Sequence, residues 1–351
     1  MKNKKCITVL FVCFTILFSC DSYETTVINS VHADGSVARV VVMRNDESAQ
    51  FEPEEFKVPL DSTWKTEIGI EVDGENDTTW VLTAEKYFEN VEEMNRNYEA
   101  DTGHNGNLNR HVSFIKKFRW FTTVFRFSES VERTMEVDCP VNDFLTDEEL
   151  DFFYLPHSIQ KMAETGPDSL EIKALLSSIE EKTETWYTTC LVRRGLSAFS
   201  GMYLIHGHEE LSREGIMSKE SEIMALMEED MDQDSLFSSV FGEGFVREYK
   251  QLIDSAITIF EEELSLSLNA SSYDIKTRMP GKIIATNGYL GFVEGGDPVR
   301  EVMWTVSGEY FLSENYDMWV ESRVNNYYIW VLSILFIIFA ITGFILYYSK
   351  R

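Results

Sequence analysis

Two histidines and two glutamates lie within five residues near the middle of the chain, at His206, His208, Glu209 and Glu210. Imidazole and carboxylate groups at this spacing are able to hold zinc or copper. If the segment were a strand, both histidines would point to the same side. A loop that opens a helix accounts for the same residues equally well. We therefore predict no metal and no other cofactor, and His206 and His208 are the metal candidates to test.

The five cysteines divide into two groups. Cys6 and Cys13 fall in an apolar N-terminal segment and Cys20 follows it, whereas Cys139 and Cys190 lie in the body of the chain. Two cysteines that remain in an oxidising compartment favour a disulfide. Two separate buried cysteines are the alternative, since free Cys is often buried. Cys139 and Cys190 are thus a candidate disulfide that the sequence alone leaves open.

Basic residues concentrate in one segment of an otherwise acidic protein. Lys116, Lys117, Arg119 and Arg126 lie on a strand-like run, whereas the whole chain has a formal net charge of -28. Such a patch can meet a lipid headgroup, an anionic glycan or an acidic partner. It can also pair with the protein's own acidic helices, the interpretation we favour because so many carboxylates need neighbours. The overall charge argues against nucleic acid as a partner.

The sequence contains none of the common catalytic motifs. We find no G-x-S-x-G, G-x-x-x-x-G-K, H-E-x-x-H or C-x-x-C. Two acidic segments, residues 73–77 and 228–234, are similar to calcium loops in composition but lack key ligand positions. We interpret both as solvated loops. Catalytic groups can also assemble from distant positions, yet with no motif to start from we predict that the protein is not an enzyme.

The C-terminal residues predict a membrane span. Residues 327–348 are 22 residues without a charge, with aromatic residues at both ends. At about 1.5 Å per residue this stretch covers a hydrocarbon core of about 30 Å. Lys350 and Arg351 follow at once, so the positive-inside rule places residues 349–351 in the cytoplasm. We expect everything before Tyr327 to lie outside the cytoplasm, in a single-pass protein of a bacterial inner membrane.

The N-terminus predicts a signal peptide over residues 1–19. Three lysines precede a 13-residue apolar region, residues 6–18, which is too short to span a membrane comfortably. The sequence Leu17-Phe18-Ser19-Cys20 resembles the lipobox of bacterial lipoproteins. This resemblance implies that Cys20 is lipidated and becomes the mature N-terminus. Membrane lipid is therefore an expected partner, and both ends of one domain would be held at the same membrane.

Residues 20–138 predict mainly strands. Thr- and Val-rich runs on both sides of Asp34-Gly35 predict a β-hairpin. Further strands are expected over residues 64–72, 78–83 and 111–137, and a helix over Ala84–Tyr98.

Residues 139–270 predict a helical insertion of about four helices. Thr146 and Glu149 have the spacing of a capping box. Apolar residues with helical spacing form two stripes, which we interpret as core. The stripes are Ile172, Leu175, Leu176, Ile179, Trp186 and Cys190, and then Phe245, Tyr249, Leu252, Ile253, Ala256 and Phe260.

Strand patterns return over residues 271–323. Met279-Pro280-Gly281, Thr286-Asn287-Gly288 and Trp304-Thr305 read in this order before the apolar C-terminal segment. This pattern is similar to that of LppM-like envelope lipoproteins, in which a Pro-Gly opens a strand, an Asn-Gly turn follows and a Trp strand leads towards a membrane helix. The resemblance implies a β-rich module that contains helices, is discussed as holding a lipophilic ligand and carries no catalytic residues.

Together these patterns predict an α+β ectodomain with a C-terminal transmembrane helix. The strand-rich N- and C-terminal parts are expected to form one sheet or a sandwich, with the helical insertion between them. We predict a non-enzymatic interaction or scaffold module of the bacterial envelope, working with other envelope proteins. The alternative is a binding module for a lipid or another apolar ligand.

Overall fold

The structure of the chain is a computed structural model. It describes residues 24–52, 56–72, 78–101, 108–156, 159–160, 169–208, 210–227, 233–268, 272–291 and 301–349. The expected signal peptide, the lipobox residue Cys20, the acidic segment 73–77, most of the segment 228–234, Glu209 and the two final basic residues lie outside the described residues.

Eleven strands in the described part of the chain form two sheets. Sheet 1 has seven strands in the order β3-β4-β2-β1-β7-β10-β9, and sheet 2 has four in the order β5-β6-β11-β8. The strands are β1 (Glu24–Val31), β2 (Val37–Asn45), β3 (Lys65–Val72), β4 (Thr78–Phe88), β5 (Arg110–Arg119), β6 (Thr122–Val131), β7 (Tyr273–Arg278), β8 (Lys282–Thr286), β9 (Tyr289–Leu290), β10 (Glu301–Val306) and β11 (Tyr316–Asn325).

The two sheets pack face to face because their strands alternate between buried and less buried residues. Along β2 and β6 every second residue is buried, the pattern of strands with one face in a core. Met43 of sheet 1 and Phe125, Phe127 and Val320 of sheet 2 belong to the same apolar core. The period of two thus gives each sheet one apolar face, and the two apolar faces share this core.

The N- and C-terminal strand-rich parts interleave within both sheets. In sheet 1, β1 pairs with β2 across the Asp34-Gly35 turn and in parallel with β7 on its other side. In sheet 2, β6 pairs with β5 and with β11. The expected α+β class is confirmed, and the sandwich alternative is the one that occurs.

The helix expected over Ala84–Tyr98 is wrong in its first part. β4 continues to Phe88, because it pairs with both β2 and β3 and places Ala84 and Phe88 in the core. Helix α1 (Val91–Glu99) begins only after Asn90, whose side chain accepts from the Glu93 N–H. Pairing on both sides overrides the weak helical period of this segment.

The helical insertion contains more helices than expected. Its described residues form α2 (Asp147–Phe153), α3 (Ser169–Ile205), α4 (Arg213–Met217), α5 (Glu220–Met227), α6 (Gln233–Phe241) and α7 (Glu243–Leu268), with a short 3₁₀ helix at Val141–Asp143. Another 3₁₀ helix, Gly308–Phe311, lies outside the insertion, between β10 and β11. The capping box of Thr146 and Glu149 is confirmed. Helices α3 to α7 enclose a second core, which includes Phe199, Tyr203 and Ile253.

Cys139 and Cys190 form a disulfide, with a Cα–Cα distance of 5.6 Å. The bond joins the segment after β6 to the middle of α3. The Trp186 indole N–H and the Ser313 hydroxyl both donate to the Cys139 carbonyl, over 2.9 Å and 2.8 Å. The insertion is thus fastened covalently to the sandwich.

Helix α8 (Tyr327–Ser349) projects from the end of β11. It has 23 residues and a mean hydropathy of 2.8 in its most apolar part, none of which is buried. By length and composition it is a candidate membrane-spanning helix, compatible with a single-pass membrane protein. We call the end of the sandwich next to α8 the proximal end and the opposite end the distal end.

Candidate functional site

The chain passes from β11 into α8 through one buried residue, Asn326. Its backbone N–H donates to the Phe121 carbonyl and its side-chain Nδ2 donates to the Trp120 carbonyl, both over 2.8 Å. The Thr123 hydroxyl donates to Asn326 Oδ1 over 2.9 Å. The Asn326 carbonyl accepts from the Ile329 N–H, the first bond of the helix. Asn326 therefore fixes the β5–β6 turn to the beginning of α8.

The β5–β6 turn is built from two aromatic residues. Arg119 pairs with Thr122, so Trp120 and Phe121 alone make the turn. The Phe121 ring centroid lies 4.4 Å from that of Trp330, in the first turns of α8. Trp120 is 62% exposed and has φ 42°, a left-handed conformation that costs a non-glycine residue roughly 1–2 kcal/mol. An exposed indole is therefore held, at some energetic cost, beside a candidate span, where Trp rings prefer the membrane–water boundary.

Four cations lie on the outer face of sheet 2 near this turn. Strand pairing places Lys117 opposite Val124, Val124 opposite Arg323, and Arg323 opposite Lys282. Directly opposed residues of antiparallel strands share a face, so three cations form one line across the sheet. Arg119 lies on the same face, two residues nearer the turn. We call Lys117, Arg119, Lys282 and Arg323 the basic row.

The side chains of the basic row are exposed. None of the four side chains makes an ion pair or a hydrogen bond with another residue that the structure describes. Arg323 and Lys282 stand directly opposite each other, an arrangement that like charges disfavour. Gly281, with φ 82°, enables this pairing, because a Cβ at its position would lie 2.4 Å from the Arg323 carbonyl oxygen.

The basic residues expected from the sequence separate into two pairs. Lys116 donates to a carbonyl of the β1–β2 turn over 2.9 Å, and Arg126 pairs with Glu321 of β11 over 3.0 Å. Only Lys117 and Arg119 belong to the basic row. The expectation that this patch pairs with acidic helices is wrong for Arg126, which pairs with a strand, and within the described residues the other cations of the patch make no ion pair.

Sequence reasoning missed two members of the basic row, Lys282 and Arg323. Both lie far along the chain from Lys117, and only the pairing of β11 with β6 and β8 brings them together. The signal that could have found Arg323 is its place on a strand that leads directly into an apolar helix.

The two candidate metal-binding histidines face different surroundings. Gly207, with φ 80°, ends α3 in a Schellman motif, in which the Gly207 N–H donates to the Leu204 carbonyl and the His208 N–H to the Tyr203 carbonyl. The His206 ring bonds the Met202 carbonyl, whereas the His208 ring packs against Tyr203. Among the described residues no group of three or more His, Cys, Asp or Glu is placed to hold a metal ion.

The interior holds a buried ion pair between the sheets. Arg39 of β2 and Glu129 of β6 are 2.8 Å apart, and both side chains are 3% exposed. Arg39 also donates to Asn29, and the Tyr98 hydroxyl of α1 donates to Glu129 over 2.6 Å. Burial raises the pKa of Tyr98, so its hydroxyl keeps the proton that it donates. Because these groups satisfy one another, we interpret the network as structural.

The interface between the sandwich and the insertion is filled by aromatic rings. The Phe153 ring centroid lies 4.9 Å from that of Tyr310 and 6.4 Å from that of Trp186. An open depression of about 360 Å³ lies on the surface of the insertion, and its lining is polar. The lining residues are Asp234, Ser235, Ser238, Ser239 and Glu243. Neither feature favours the alternative of an apolar ligand, which stays a prediction.

A second exposed apolar surface lies on β3, an edge strand of sheet 1. All of its residues are exposed. Ile68, Ile70 and Val72 share one face and are 53%, 53% and 63% exposed. Ile68 lies opposite the buried Leu82 of β4, so these side chains extend the inner face of sheet 1 beyond the core.

Comparison of the chain with models of protein families, with curated proteins and with solved structures finds no match. The resemblance to LppM-like envelope lipoproteins therefore stays a prediction.

Proposed function

We propose that this protein is a single-pass, membrane-anchored, non-enzymatic interaction module that offers the free edge of β3 to a strand of a partner protein. The observation that carries the proposal is the exposure of the whole of β3 at the edge of sheet 1. An edge strand presents a row of backbone donors and acceptors that a further strand can use.

The side chains of β3 indicate what kind of strand would fit. One face offers Ile68, Ile70 and Val72, which suit apolar residues at alternate positions of a partner strand. The other face carries Lys65, Glu67 and Glu71, of which Glu71 pairs with Arg44 over 3.0 Å. Arg44 balances the charge of Glu71, and the charges of Lys65 and Glu67 cancel, so this face is close to neutral. The partner strand is therefore expected to alternate apolar with polar residues.

We propose the inner membrane of a bacterium as the location, with the ectodomain outside the cytoplasm. The disulfide of Cys139 and Cys190 supports an oxidising compartment. The lysine-rich start, the apolar residues 6–18 and the final Lys350 and Arg351 support the same orientation.

The geometry restricts how a lipid on Cys20 could share the membrane of α8. Glu24 is the first residue of β1 and lies at the distal end. The neighbouring parallel strand β7 also begins there, and its Tyr273 hydroxyl accepts a hydrogen bond from Arg110, the first residue of β5. From there to Arg119 the ten-residue β5 covers about 30 Å, whereas Cys20 to Glu24 spans at most about 14 Å. Both anchors reach one bilayer only if the strands lie nearly parallel to it. Intact-mass analysis of membrane-purified protein would show whether Cys20 is acylated.

The test of the proposed function is site-specific photocrosslinking of the full chain in its native membrane. A photoreactive residue at Ile70 is expected to capture an extended segment of another protein in which apolar and polar residues alternate, mapped by mass spectrometry. Ile284 on β8, 42% exposed at the edge of sheet 2, is the matched control position and should not capture that segment. Hydrogen exchange of the β3 backbone should slow when the captured partner is added.

Two outcomes would overturn this proposal. Crosslinks from position 70 to β3 of a second copy would mean that the edge mediates self-association. If position 70 captures only what position 284 captures, and the β3 amides exchange at the same rate with and without the captured protein, β3 is not a docking edge.

A further inference from the structure

We propose that the basic row binds the phosphate groups of anionic lipids, with Trp120 seated among the same headgroups. The basic row is a surface of defined geometry that no described part of the protein neutralises. Three of its cations, Lys117, Arg323 and Lys282, lie side by side on neighbouring strands.

The position of the basic row favours a lipid surface over a soluble anion. Arg323 precedes the first residue of α8 by four positions, so its Cα lies at most about 13 Å from the start of the candidate span. The headgroup layer outside the hydrocarbon core is about 5–8 Å thick, and long Lys and Arg side chains reach a similar distance. The row therefore lies within reach of headgroup phosphates once α8 spans the bilayer.

The junction at Asn326 makes this placement rigid. The strand β11 enters α8 without a linker, and the hydrogen bonds of Asn326 hold the β5–β6 turn against the first turns of the helix. Phe118, 52% exposed, and Trp120, 62% exposed, lie at the same end as the cations. Cations next to exposed aromatic rings are the combination found at membrane interfaces.

The charge of the rest of the protein strengthens the argument. In a chain with a net charge of -28, a group of cations without carboxylate partners among the described residues is unexpected if pairing within the protein decides where cations lie. An external anion would remove the repulsion between Arg323 and Lys282. The phosphate of a lipid headgroup can supply that anion at the place where the row lies.

The test is native mass spectrometry of the full chain, released from detergent that contains phosphatidylglycerol or phosphatidylcholine. The wild-type chain is expected to retain phosphatidylglycerol preferentially. The variant K117Q/K282Q/R323Q should retain it at least roughly tenfold less, since each cation near an anionic surface contributes about fivefold. The matched control R133Q/K173Q/R247Q removes the same charge from exposed cations elsewhere and should retain lipid like the wild type.

A second measurement separates loss of binding from loss of folding. Removing the repulsion between Arg323 and Lys282 should leave the thermal midpoint of K117Q/K282Q/R323Q unchanged or slightly raised in neutral detergent. Equal lipid retention by the two triple variants would overturn the proposal, as would equal retention of phosphatidylcholine. Displacement of the lipid by millimolar inorganic phosphate would contradict the proposal that the row binds lipid and would indicate a site for a soluble anion.

Discussion

The β5–β6 turn and β3 expose large apolar side chains to the same degree but in opposite settings. Trp120 in the turn is 62% exposed and Val72 on β3 is 63% exposed. The turn is fixed to a candidate membrane helix and adjoins cations that have no ion pair among the described residues, whereas β3 lies at a sheet edge beside carboxylates. Exposure alone therefore does not reveal what a surface binds. The neighbouring charges and the anchoring of the backbone are what lead us to propose a lipid for one surface and a protein for the other.

The largest effect on stability is expected where the sandwich is fastened to the insertion, away from the β5–β6 turn. Replacing Cys139 and Cys190 together by Ser opens a loop of 51 residues and should lower the free energy of unfolding by about 4 kcal/mol. Thermal unfolding of the full chain in detergent measures this loss. Lipid retention by the basic row should not change, and a parallel loss of both would mean that the two regions are not independent.

The stability of the proximal end should depend on Asn326. Replacing Asn326 by Ala leaves the Trp120 carbonyl and the Thr123 hydroxyl without their bonds, so the free energy of unfolding should fall by about 2–3 kcal/mol. Asn325, its exposed neighbour, provides the control, and Asn325→Ala should change stability by less than about 0.5 kcal/mol. Equal effects of the two substitutions in chemical denaturation would show that Asn326 does not hold the junction.

The pH dependence of stability should arise at Glu309, near the distal end of the sandwich, and not at the β5–β6 turn. Burial raises the pKa of Glu309 to about 7, so between pH 4.5 and 7 the folded state binds more protons than the unfolded state. Stability should therefore fall as pH rises through this range. Glu309→Gln should stabilise the protein by on the order of 2 kcal/mol at pH 8 and have little effect at pH 4.

The exposed Glu314 is the control for this titration, and Glu314→Gln should not alter the pH dependence. Thermal midpoints at pH 4, 6 and 8 give the comparison. A Glu309→Gln variant that follows the wild-type curve at every pH would contradict the assignment.

The smallest effect on stability is expected at Trp120, where the substitution should stabilise the protein, as Glu309→Gln should at pH 8. Trp120→Gly removes the cost of a left-handed residue and should raise stability by about 1 kcal/mol in neutral detergent. The same substitution should reduce quenching of the protein's fluorescence by brominated lipids. Phe118→Ala is the comparison, since Phe118 lies on a strand and offers no such relief. Unchanged quenching in Trp120→Gly would place the turn outside the headgroup layer.

Local patterns predicted most of the elements and failed where pairing decides. The Asp34-Gly35 hairpin, the capping box at Thr146 and the helical stripe before Cys190 depend on residues a few positions apart, and all are found. The segment after Ala84 has a helical pattern but becomes strand, since β2 pairs with it as far as Phe88 and β3 as far as Glu85. Short-range periodicity contains no information about those distant partners.

The candidate site followed the same division. Lys117 and Arg119 were predictable as cations on a strand, whereas their lack of ion pairs was not. Lys282 and Arg323 joined them only through the register of β8, β11 and β6. A patch defined along the chain thus differs from the patch that the sheet assembles.

The sequence by itself determined the α+β class, the strand-rich ends around a helical insertion and the apolar C-terminal helix. Period-two and period-3.6 patterns and a long uncharged segment encode these features locally. Only the tertiary structure decided that the ends interleave in two sheets, that Asn326 joins the β5–β6 turn to α8, and that β3 stays at an edge. Strand order and register arise from contacts between residues far apart in the chain, and no local pattern specifies them.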